Sequence, residues 1–88
     1  MIQRNVVVKI PVGLHVYPAM TIANTASKYD CQVKIYHHNQ VINGSSLLNL
    51  VAGAIKCGEE VRLECDGRQE AMALVEIQKI LEDRPIAS

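Results

Sequence analysis

One stretch limits the architecture more than any other: in Glu60-Val61-Arg62-Leu63-Glu64-Cys65, apolar and charged side chains alternate without a break. Successive side chains of a strand point to opposite faces, so this segment has one buried face and one wet face. Such a strand belongs to an antiparallel sheet whose cover of helices lies on one side only. The rest of the chain has to supply that cover.

Residues 2–9 alternate as well, with Val6, Val8 and Ile10 on one face and Asn5 and Lys9 on the other, until Pro11 and Gly13 end the strand. A helical pattern follows over about 17–28, where Ala19, Ile22, Ala23 and Ala26 recur at i, i+3, i+4 and i+7. Pro18 suits its first turn, because the missing N–H has no partner to lose there. Val33 and Ile35 alternate with Lys34 and Tyr36, and Val41-Ile42 return after a turn at Asn39. Asn43-Gly44-Ser45-Ser46 is a loop that ends in a good N-cap for an apolar helix over 47–54, which Cys57-Gly58 breaks. After the alternating strand, Asp66-Gly67 turns the chain into a last helix over about 69–83. Leu74, Ile77 and Leu81 form its stripe and Pro85 stops it. The order is β-α-β-β-α-β-α, an α+β domain with four short antiparallel strands and three helices on one face. Strand order does not follow from the pattern.

At 88 residues, 49% of them hydrophobic, the chain has material for one modest core and reads as one domain over 1–88. It has no Trp and no Phe, so aliphatic side chains and Ala fill that core. Nine basic residues balance nine acidic ones and the isoelectric point is near 6.8, which argues against general nucleic-acid binding. No apolar stretch approaches the roughly 20 residues that span a bilayer, so membrane insertion is not expected. MIQRNVVVKIPVG carries no cleavage-site pattern, and Cys31, Cys57 and Cys65 are odd in number without close spacing. Together these point to a cytoplasmic protein with reduced thiols. A metal site built from the cysteines with His37 and His38 would need CxxC-like pairs, and the sequence has none; no metal or cofactor is expected.

The chemistry concentrates in Gly13-Leu14-His15-Val16-Tyr17-Pro18-Ala19. His15 stands immediately before a helix, where unpaired N–H groups and the positive end of the macrodipole favour a phosphate. An imidazole there can take a phosphoryl group on a ring nitrogen and hold it against the backbone N–H groups of Val16 and Tyr17, with Pro18 shaping the turn. The same field disfavours the imidazolium and leaves the ring nucleophilic. By spacing alone, a His before a helix is a weak signal, and it favours reading His15 as a surface loop residue with a capping role.

Gly-Leu-His-x-x-Pro-Ala at 13–19 resembles the active-site motif of the HPr family, the histidine-containing phosphocarriers of the bacterial sugar phosphotransferase system. Thr25-Ala26-Ser27-Lys28-Tyr29-Asp30 is similar to the end of the family's first helix. Asn43 to Leu50 aligns without gaps to its second phosphorylation segment and puts Ser46 on the regulatory serine. Gly58 and Gly67 fall in register, so the resemblance spans essentially the whole chain. It implies an open-faced β-sandwich with sheet order 1-4-2-3. It also implies that Enzyme I, charged by phosphoenolpyruvate, phosphorylates His15, and that sugar-specific EIIA components receive the phosphoryl group. It makes Leu47, Leu48 and Val51 a partner-docking patch beside His15; the same side chains read otherwise as core, Leu50 and Val51 above all. Ser46 is by resemblance the target of a kinase/phosphorylase whose product works with a transcription regulator, and by its position alone a helix cap.

The chain departs from the family at Tyr17, where an Arg is usual. An Arg gives a charge-assisted contact to phosphate, whereas a Tyr hydroxyl gives one neutral hydrogen bond. The second helix also differs, with Ser45-Ser46-Leu47-Leu48-Asn49 in place of a larger residue before the serine and Ile-Met-Gly after it. Basic residues near the docking face are thin, with Lys28 and Lys56 the nearest. The resemblance therefore implies a phosphocarrier, which is a substrate and donor for other enzymes rather than an enzyme. A regulatory Crh-type module acting through Ser46 is the alternative, and a carrier dedicated to a divergent or nitrogen-type system a third reading.

Overall fold

The computed structural model describes residues 1–84. Its elements run β1 (Ile2–Val7), α1 (Val16–Lys28), β2 (Gln32–His37), β3 (Gln40–Asn43), α2 (Leu47–Ala52), β4 (Glu60–Asp66) and α3 (Glu70–Leu81). The four strands form one antiparallel sheet in the order β1-β4-β2-β3. The alternating segment that constrains the sequence most is thus a central strand, paired with β1 on one side and β2 on the other.

Register explains which face is dry. Val6 pairs with Val61, Ile35 with both Leu63 and Ile42, and Val33 with Cys65; all of them are buried. Against this face lie the apolar stripes of the helices: Ala19, Ile22, Ala23 and Ala26 of α1, Leu50 of α2, and Ala73, Leu74, Ile77 and Leu81 of α3. Alanines in α1 let the helix approach closely, which suits a core without Trp or Phe.

The opposite face is polar but not wholly wet. Glu64, read from the sequence as a solvated residue, is only 8% exposed. Gln3 Nε2 donates to its Oε1 at 2.8 Å and the Tyr36 hydroxyl does so at 3.4 Å. The Arg62 guanidinium sits 4.3 Å from the Tyr36 ring centre, a cation–π contact that covers the same patch. Long side chains on the strands beside β4 roof the carboxylate and satisfy it.

Element ends differ from the sequence expectations for local reasons. β1 stops at Val7 rather than residue 9, because Val8 N–H donates to the Glu59 carbonyl and Lys9 N–H to the Leu81 carbonyl. Helix α1 starts one residue earlier than expected, at Val16. Helix α2 ends at Ala52 rather than 54; Ala54 takes φ +53° and its N–H closes back on the Val51 carbonyl. Helix α3 ends at Leu81 in a Schellman arrangement: Asp83 takes φ +56° and donates to Ile80, and Arg84 donates to Lys79. That closure stops the helix before Pro85, which lies outside the described residues.

Candidate functional site

Backbone hydrogen bonds from Gly13, Leu14 and His15 hold the segment before α1. Gly13 N–H donates to the Ile10 carbonyl at 2.8 Å, turning the chain over Pro11-Val12. Leu14 is buried and its N–H donates to the Ile55 carbonyl at 2.9 Å, pinning the turn to the loop between α2 and β4. Gly13 has φ +75°, and a Cβ there would meet the Ile55 carbonyl oxygen at 2.8 Å. The left-handed conformation and this close backbone contact together are why glycine occupies position 13.

His15 follows as the N-cap residue of α1, with extended backbone (φ −81°, ψ −171°) and no side-chain capping bond. Its side chain is exposed, and among the described residues its ring makes no hydrogen bond. Its carbonyl accepts Ala19 N–H at 3.0 Å and so starts the helix. Pro18 has no N–H, which leaves those of Val16 and Tyr17 as the donors of the first turn; neither has a hydrogen-bond partner among the described residues. An exposed imidazole therefore stands beside two free N–H groups at the positive end of a 13-residue helix. That arrangement can hold an anion on the imidazole edge. His15 thus occupies the exposed capping position, and its side chain makes no capping bond.

The other residues singled out from the sequence fall into two groups. Ser46 is the N-cap of α2, and its Oγ accepts from Asn49 N at 3.2 Å and from Asn49 Nδ2 at 3.0 Å. Leu50 is fully buried, Leu47 is half-buried against the core, Leu48 is 80% exposed and Val51 37%. Helices α1 and α2 pack on each other, so the exposed Leu48 and Val51 are carried on a helix adjacent to the one His15 begins. Lys28 is not free to steer a partner, because its ammonium pairs with Glu76 at 3.2 Å.

Tyr17 is 79% exposed, with Thr21 Oγ1 donating to its carbonyl at 3.1 Å. It lines a shallow groove of about 430 Å³ together with Pro18, Thr21, Ile80, Asp83 and Arg84. Sequence reasoning missed Arg84, which is far away along the chain and reaches this groove only through the closure at the end of α3. Its guanidinium is held by Glu82 at 2.7 Å.

Residues 2–83 match the family model described as the PTS HPr component phosphorylation site. The chain belongs to the HPr family. It is 35% identical over 82 residues to phosphocarrier protein HPr of Mycoplasma pneumoniae, covering 92% of this chain and 93% of that one. A Mycoplasma histidine-containing phosphocarrier protein has the same fold, with a TM-score of 0.85 at 30% identity over 93% of both chains. Crh, the Bacillus subtilis catabolite repression protein, matches with a TM-score of 0.78 at 25% identity over 99% of this chain and 100% of that one. The open-faced sandwich with sheet order 1-4-2-3 is thus the HPr fold, and phosphocarrier membership extends across the strands and helices as well as the His15 motif.

Proposed function

We propose that this HPr-family chain carries a phosphoryl group on His15, accepted from Enzyme I and passed to sugar-specific EIIA components. The observation that carries the reading is the exposed His15 ring at the start of α1, beside the unpaired N–H groups of Val16 and Tyr17. A ring nitrogen attacks phosphorus, the new N–P bond forms as the bond to the donor breaks, and the phosphoryl oxygens turn toward those N–H groups. The helix end stabilises the negative charge without committing a side chain, so the group can leave again to the next acceptor. Nothing about His15 requires a base in this chain; the partner enzymes supply the remaining catalytic groups.

Tyr17 sets the expected efficiency. Replacing a charge-assisted contact by a neutral one costs about 1.5–3 kcal/mol, on the order of ten- to a hundred-fold in rate or affinity. Leu48 and Val51 provide the apolar docking surface, with Leu47 beneath them. A regulatory, Crh-type reading acting through Ser46, with a kinase/phosphorylase and a transcription regulator as partners, is favoured by that same Tyr17. The free His15 favours the carrier. The test is a relay: labelled phosphoryl group followed from Enzyme I through this chain to an EIIA component. The carrier reading requires transfer that stops in His15→Ala and persists in Ser46→Ala. Transfer that is absent in the unaltered chain, with partner binding that depends on Ser46 phosphorylation, supports the regulatory reading instead.

A further inference from the structure

At the end of the β2–β3 hairpin, three side chains converge that the carrier chemistry does not use. His37 continues the inward alternation of Val33 and Ile35 and is 5% exposed. His38 opens the two-residue turn and is exposed, and the two rings lie 4.1 Å apart between centres. Glu59, in the loop leading into β4, reaches both. Its Oε1 is 3.2 Å from His37 Nε2 and its Oε2 is 3.2 Å from His38 Nε2.

We propose that His37 Nε2, His38 Nε2 and the Glu59 carboxylate form a site for a divalent transition-metal ion, zinc foremost. The three ligand atoms already lie within 4.8 Å of one another, so small side-chain adjustments bring them onto one ion at the usual zinc distances of roughly 2.0–2.2 Å. His37 supplies an independent sign of a missing partner. Its Nε2 is buried and, among the described residues, has no hydrogen bond, because the nearby carboxylate oxygen does not lie in hydrogen-bonding orientation. A buried imidazole nitrogen without a partner, aimed at a carboxylate and a second imidazole, has the form of a ligand set.

The surroundings complete it. Lys56 N–H donates to Glu59 Oε1 at 2.7 Å and fixes the carboxylate, as outer partners of metal ligands do. His38 and Glu59 keep the site open to solvent and give an ion a way in. Two imidazoles and one carboxylate suit zinc, nickel or copper better than magnesium or calcium, and three protein ligands leave one position for water. Bound metal ties the β2–β3 hairpin to the loop of residues 55–59, the same loop that anchors Leu14. The sequence has no cysteine pair to join these histidines; the third ligand is Glu59, which only the fold brings to them.

The test is titration of the untagged full chain, stripped with EDTA, with zinc chloride. Calorimetry and the imidazole nitrogen resonances provide the readouts. One zinc per chain is expected, shifting the resonances of His37 and His38 and leaving those of His15 in place. His38→Ala and Glu59→Gln, both outside the core, should each weaken binding by at least about ten-fold, a loss comparable with that of removing an outer partner. Cys57→Ser should not change it, and zinc should raise the melting temperature of the unaltered chain and of Cys57→Ser alike, and that of His38→Ala and Glu59→Gln much less. The proposal is overturned if no zinc binds, if the affinity survives both ligand substitutions, or if binding follows Cys57 or His15.

Discussion

Gly13→Ala tests the link between the fold and the His15 site. Position 13 has φ +75°, a conformation that costs an L-residue roughly 1–2 kcal/mol. The added Cβ would stand 2.8 Å from the Ile55 carbonyl oxygen and 3.2 Å from Lys56 Cα, both backbone atoms that cannot swing aside. To relieve the contact, the 10–14 turn must part from the 55–57 loop, which strains the buried Leu14 N–H···O=C Ile55 bond of 2.9 Å. A net hydrogen bond is worth roughly 0.5–1.5 kcal/mol, so the whole change should cost about 2–3 kcal/mol. Gly58→Ala is the control: its φ is +94°, yet a Cβ there meets nothing within 4 Å. It should cost the conformational part alone. Urea unfolding of both variants, compared at equal slope, separates the two contributions. The Gly13 variant should lose about 1 kcal/mol more than the control and should accept phosphate more slowly on His15. If the two variants unfold at the same midpoint, the close contact with Ile55 does not hold this segment.

Other consequences are as direct. Tyr17→Arg should speed phosphoryl transfer by on the order of ten- to a hundred-fold in a stopped-flow relay, provided the helix end alone now holds the charge. Ser46→Ala removes the cap of α2 and should lower stability by about 1 kcal/mol in urea unfolding, while Ser46→Asp, which keeps a capping oxygen, should lose much less. The three cysteines are free thiols. Burial pushes the Cys65 thiol up to about 12, so a maleimide followed by mass spectrometry should modify exposed Cys57 first and Cys65 only on unfolding. The Glu70 carboxylate is held below its ordinary pKa by Gly67 N–H and by the amino terminus. Its contribution is therefore complete above the ordinary carboxylate range and is lost as pH falls through the lowered value. In denaturation measured against pH, Glu70→Gln should flatten that acid limb; an unchanged slope contradicts the assignment.

The sequence was most legible where one periodicity governed a whole element. Val61, Leu63 and Cys65 alternate so regularly that β4 and its buried face could be read directly, though not its central place in the sheet, and the Ala19-to-Ala26 stripe located α1. Helix ends were less legible, because Ala54 and Asp83 take left-handed conformations that their residue types do not announce. Residues with two plausible environments also escaped. Glu64 looks solvated until Gln3 and Tyr36 close over it, and His37 enters the sequence reading only beside the cysteines until the register carries it inward. Of the candidate site, His15, Val16, Tyr17 and Pro18 stand together as local sequence predicts, since one turn builds them. Arg84 and Glu59 were invisible, because only tertiary closure brings the first to Tyr17 and the second to the histidine pair.

The most direct test of the central claim is the intact mass of the chain after incubation with phosphoenolpyruvate and Enzyme I, beside a His15→Ala control. One acid-labile phosphoryl group on the unaltered chain, absent from the control, is the predicted result. No adduct at all, or an adduct that persists in His15→Ala, would contradict it.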